Sequence, residues 1–110
     1  MDFDEYQRKA ARTINKNLSR LDATRHAIFG LTAEAGEIAS LYQKEYQGHA
    51  IEIEALGKEI GDVLWMLAEL CTMTGLTMGN VAQANITKLE KRYPQGFSIQ
   101  RSLHRAAGDI

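Results

Sequence analysis

The chain has 110 residues, of which 45% are hydrophobic, and its thirteen basic and fourteen acidic side chains leave a net charge of -1. That balance suits one small globular domain and excludes the broad basic surface that nucleic-acid binding needs. The single cysteine, Cys71, rules out an intramolecular disulfide and a Cys-based zinc site.

A core built from so short a chain is modest, and an oligomer that buries one face per subunit is a natural expectation. The start of the chain, Met1-Asp2-Phe3-Asp4-Glu5, is acidic and lacks the pattern of a signal peptide. No apolar run approaches the roughly 20 residues that span a bilayer. Lys58, Glu59, Asp62 and Glu69 interrupt the longest one. The expectation is a cytoplasmic protein without a membrane partner.

Helix-forming residues dominate, strand-like alternation is scarce, and the only proline is Pro94. The fold class is therefore all-α. A first helix begins near Asp2, with Glu5 as capping-box partner, and carries Tyr6, Ala10, Thr13, Ile14 and Leu18. Ser19 or Asp22 caps a second helix over roughly 23–47, with Ala27, Leu31, Ala35, Ile38, Leu41 and Tyr42 as its stripe and Gly48 as its stop. A third covers roughly 52–74 and ends at Gly75. Its apolar side, widened by Trp65 and Met66, predicts contact on more than one face, and Cys71 falls within that core.

Thr77 caps a fourth helix that carries Val81, Ile86 and Leu89 and stops before Pro94. The tail from Gln95 is polar and partly mobile, with Arg101, His104 and Arg105 on a short solvated helical face. These elements predict a four-helix bundle in which helices 2 and 3 form an antiparallel hairpin about Gly48-His49-Ala50. A domain over 1–98 is followed by a polar tail over 99–110.

Two segments carry the chemistry. Glu34-Ala35-Gly36-Glu37 and Glu59-Ile60-Gly61-Asp62 each set two acids at i and i+3 on one helical face. Like charges this close repel, and in an apolar setting they need a cation or protons. The hairpin lets all four converge, with Glu37 roughly opposite Glu59. Hard oxygen donors suit Mg²⁺ or Mn²⁺, which also bind phosphate oxygens. Glycine inside a helix costs about 1 kcal/mol relative to alanine. Gly36 and Gly61 therefore suggest that the two helices, or a ligand, approach closely beside the acids.

Other chemistries lack their residues. A di-iron bundle site uses Glu-x-x-His pairs, and none of His26, His49 or His104 has such a glutamate. No His-x-x-x-His zinc pair, Ser-His-Asp set, Cys-His pair or Walker loop is present. Asn85, Lys88 and Arg92 share a face of helix 4 and would meet phosphate oxygens.

Three segments together resemble the MazG-like nucleotide pyrophosphohydrolases, an all-α family. They are Gly30-Leu31-Thr32-Ala33-Glu34-Ala35-Gly36-Glu37, then Lys58-Glu59-Ile60-Gly61-Asp62-Val63-Leu64-Trp65, then the stretch from Asn85 to Pro94 followed by Gly96-Phe97. The likeness runs from about Phe3 to Ser98. It implies Mg²⁺-dependent hydrolysis of a nucleoside triphosphate to the monophosphate and pyrophosphate, by a homodimer or homotetramer. It implies that Glu34, Glu37, Glu59 and Asp62 are metal ligands and that Asn85 and Lys88 approach substrate. Of the acids, Glu37, then Glu34, is the expected general base. Residues that contact the base vary in such proteins, leaving Tyr6, Gln7, His26 and Trp65 as candidates. The alternatives are a nucleotide-binding regulatory relative without turnover and a structural helical interaction module.

Overall fold

In the computed structural model, which describes all 110 residues, every regular element is a helix. The order is α1 (Phe3–Ala11), α2 (Arg20–Glu45), α3 (Ile53–Thr74), α4 (Met78–Arg92) and α5 (Ile99–Leu103). The all-α expectation holds, and a fifth short helix forms in the tail. No helix is long and apolar enough to cross a membrane.

Local chemistry sets the helix ends. Asp2 Oδ1 accepts from the Glu5 backbone N–H at 2.8 Å and starts α1. Ser19 rather than Asp22 starts α2, its hydroxyl accepting from the Asp22 N–H at 3.1 Å. Gly75 stops α3 in the left-handed conformation at φ 78°, and the Leu76 N–H returns to the Cys71 carbonyl at 2.9 Å.

The start of α4 differs from expectation. Thr77 makes no side-chain cap. Side chains of α1 satisfy the first amides instead: Gln7 Oε1 accepts from the Met78 N–H at 2.7 Å, and Asp4 Oδ1 accepts from the Gly79 N–H at 2.8 Å. A Cβ at position 79 would collide with the Asp4 carboxylate, so glycine permits this approach. Gln7 Nε2 also donates to the Leu76 carbonyl and to Thr72 Oγ1. A single residue of α1 thus clamps the α3–α4 turn.

The α2/α3 hairpin is the main packing unit, with α1 on α3 and α4 on α1. Its register steps by about one helical turn at a time, four residues on α2 and three or four on α3. His26 meets Glu69, Gly30 faces Met66, and Glu34 meets Asp62. Ala10, Ala68 and Met78 form a small core, against which Tyr6, Leu64, Trp65 and Cys71 pack. Burial pushes the Cys71 thiol pKa up.

Only six residues are buried, which leaves most apolar side chains partly in water. The radius of gyration is 17.2 Å, against about 13 Å for a globule of this length. Exposed apolar residues fall into seams. Leu21, Ile28 and Tyr42 lie on α2 at multiples of seven residues, as do Ile53, Ile60 and Leu67 on α3.

Candidate metal centre and substrate site

Three of the four expected acids converge. Glu34 from α2 and Glu59 and Asp62 from α3 each offer a carboxylate oxygen within 4.8 Å of the others. The i, i+3 spacing on α3 puts Glu59 and Asp62 on one face, and the hairpin register swings Glu34 across to them. Glu37 is exposed, one turn further along α2, and lies outside this close group.

The group is electrostatically unfavourable by itself. The Glu34 carboxyl sits above the usual glutamate pKa, first because of desolvation and then because Asp62, Glu59 and Glu37 repel its charge. Asp62 also helps push up the Tyr6 hydroxyl pKa, after a larger effect of burial, so α1 borders the same site. Three carboxylates with no histidine or cysteine among them form a hard donor set. It fits a divalent cation of the Mg²⁺ or Mn²⁺ type, which would hold these charges together.

The raised pKa carries a prediction. Folded Glu34 holds its proton more tightly than it would in the unfolded chain. Protonation therefore favours the fold, and this contribution is lost as pH rises through the raised folded pKa. Metal-free Glu34→Gln should melt at a higher temperature than wild type at neutral pH, with the gap closing on acidification. Thermal scans between pH 4 and 7.5 in chelator test this; a lower melting point for the variant throughout would refute it.

Gly36 and Gly61 need a different account from close packing of the two helices. A Cβ added at either would meet nothing within 4 Å. The glycine that brings α2 against α3 is Gly30, where a Cβ would run into the Met66 side chain. What remains for Gly36 and Gly61 is the approach of a ligand or a second chain.

On α4, Asn85 and Lys88 are exposed and make no hydrogen bond or ion pair. Arg92 does not share their freedom. Its guanidinium grips Asp109 in a bidentate pair at 2.6 and 2.8 Å, and donates to the Ile110 carbonyl at 3.2 Å. This pairing holds the Asp109 carboxyl pKa below its usual value, its largest cause being the hydrogen bond from Arg92. The tail thus folds back on α4. There it walls a cavity of about 500 Å³ with Lys88, Lys91, Arg92, Arg101, Arg105 and Asp109 in its lining.

The comparisons with known proteins agree with the acid pattern. The family model described as the MazG nucleotide pyrophosphohydrolase domain matches residues 24–97, which span both acid-bearing helices and α4. The chain belongs to the MazG nucleotide pyrophosphohydrolase family. A curated relative is the Gene 37 protein of Mycobacterium phage L5, 31% identical over 81 residues, covering 69% of this chain and 71% of the phage protein. No solved structure gives a significant match. Members of the MazG family typically use divalent metals, consistent with the carboxylate group described above.

The four residues considered as base contacts now separate. Gln7 has both polar ends committed within the chain. Trp65 Nε1 donates to Thr13 Oγ1 at 2.8 Å. Tyr6 packs against the core. His26 is half-exposed and uses only Nδ1, at 2.6 Å from Glu69 Oε1. Glu69 itself escaped the sequence reading, which treated it only as a break in an apolar run. Its signal was available: an acid seven residues after Asp62, amid Leu67, Ala68, Leu70 and Cys71.

Proposed function

We propose that this MazG-family chain hydrolyses a nucleoside triphosphate to the nucleoside monophosphate and pyrophosphate, with Mg²⁺ as cofactor and Mn²⁺ as a substitute. The observation that carries this reading is the meeting of Glu34, Glu59 and Asp62 oxygens within 4.8 Å across the hairpin. When bound there, the divalent cation supplies positive charge to phosphoryl oxygens and acidifies water.

The chain's own residues do the rest. Glu34, Glu59 and Asp62 would hold the cation, with Glu37, one turn away on α2, contributing least to its binding. Outside the tight group, Glu37 is the carboxylate most available to accept a proton from the attacking water, and Glu34 comes next. The water oxygen bonds to the α-phosphorus as the bridging bond to the β-phosphate breaks, and pyrophosphate leaves. Asn85 and Lys88 offer an amide and a cation to its oxygens. Arg92 joins them only by leaving Asp109.

The working unit is proposed to be a homodimer or homotetramer, supported by the exposed seams of α2 and α3. The products test the reaction. With Mg²⁺ and nucleotide, phosphorus NMR should show monophosphate and pyrophosphate; orthophosphate with diphosphate would reject cleavage at the α-phosphorus.

A further inference from the structure

Glu69 is the one charged side chain buried in the fold, with 1% of it exposed. Its Oε1 accepts from His26 Nδ1, and its Oε2 has no partner. A buried carboxylate with one oxygen unpaired is costly, and removing its remaining partner would cost more. Such an expense fixes something. Here it fixes a ring: His26 is held at Nδ1 from below and edge-on to Trp65, with centroids 6.3 Å apart. The ring nitrogen left over, Nε2, makes no hydrogen bond, and the side chain is 48% exposed. Phe29, one turn along α2 at i+3, is 71% exposed and adds an apolar ring on that side.

The place of this ring relative to the acids is set by the hairpin. Glu69 lies seven residues after Asp62 on the same face of α3, which is about 10 Å at 1.5 Å per residue. That is the length scale separating the α-phosphate of a nucleotide from its base. Towards the hairpin turn, the equivalent position on that face is Ala55, which has no polar group.

We infer that His26, locked by Glu69, is the specificity-determining contact to the nucleoside part of the substrate, through Nε2. This inference rests on the pyrophosphohydrolase reading. Glu69 is a positioning residue: it touches no substrate and acts by fixing the orientation of the imidazole.

The test measures pyrophosphate release across a panel of nucleoside triphosphates. Beside it runs the affinity for Mg²⁺–tripolyphosphate, a probe that has phosphates and no nucleoside. His26→Asn keeps an N–H near the place of Nδ1, so Glu69 retains a partner while the outward nitrogen is lost. It should raise KM for the best nucleotide about tenfold, the scale of one lost hydrogen bond to substrate. Its tripolyphosphate affinity and melting point should match wild type. His26→Gln keeps an amide near Nε2 but strips Glu69, and should lower the melting point with a smaller change in KM. Glu69→Gln should raise KM and abolish the downfield proton NMR signal of His26 Nδ1–H.

An unchanged KM in His26→Asn for every nucleotide would overturn the assignment while leaving the hydrolase reading intact. So would a fall in tripolyphosphate affinity that matches the rise in KM. A wild-type chain that releases pyrophosphate from no nucleotide would overturn the hydrolase reading, and this assignment with it.

Discussion

Glu34→Gln and Asp62→Asn should each lower the rate of pyrophosphate release by at least about a hundredfold, the scale of losing one preorganised electrostatic group at a phosphoryl centre. The substitutions keep shape and an oxygen donor but remove charge. With Glu34, Glu59 and Asp62 within 4.8 Å, the cation is held by their summed charge more than by any single contact. Each variant should therefore bind Mn²⁺ more weakly, as read by electron paramagnetic resonance. Glu37→Gln separates the two roles of the acids. Lying outside the close group, it should retain most Mn²⁺ affinity yet lose activity, because its expected part is proton transfer, worth about 10²–10⁴-fold. Full activity in Glu34→Gln or Asp62→Asn would reject the metal assignment. Melting points give an independent view. Mg²⁺ with nucleotide should stabilise wild type by mass action and leave these two variants nearly unmoved.

These acids were legible because the signal is local. Two acid pairs at i and i+3 in apolar helices declare a shared face, and a short turn declares the hairpin that brings the faces together. Residues whose role depends on distant partners were not legible. Nothing near Gln7 announces that it closes the α3–α4 turn and caps α4, because its partners lie 65–71 residues away. Arg92 reads as a free cation on a helical face until Asp109 returns from the tail to meet it. Glycine misled in a particular way. Gly36 and Gly61 drew notice for their place between the acids, whereas contact between the helices falls at Gly30, where helical periodicity gives no hint of Met66 opposite. His26 and Glu69 lie between these cases. Each is visible in sequence, but only the antiparallel register, stepping turn by turn from Glu34–Asp62, makes them a pair.

Ile28→Lys should dissociate the assembly. Ile28 lies with Leu21 and Tyr42 on the exposed seam of α2, and Ile53, Ile60 and Leu67 form a second exposed seam on α3. Seams at seven-residue spacing on both arms of one hairpin have the pattern that packs against another helical pair. Without such a partner, a chain with six buried residues has little to set against the conformational entropy lost on folding. In a symmetric dimer each substitution counts twice. Losing burial of one isoleucine costs about 1.5–3 kcal/mol, so two cost about 3–6 kcal/mol, or roughly a hundred- to ten-thousandfold in the dissociation constant. A buried lysine adds desolvation to that. Sedimentation should give the wild type a mass that is a multiple of 12.3 kDa, with a melting point that rises with protein concentration. Ile28→Lys should shift the mass towards a single chain and lower the melting point. Leu103→Lys, in α5 and more open to solvent than Ile28 but on neither seam, should do neither. A wild type that sediments as one chain, with a melting point independent of concentration, would show that the seams are not the contact between copies. The glycines would then be decisive: Gly36 and Gly61, open on the hairpin, would be left with the substrate alone to fill the space beside the acids.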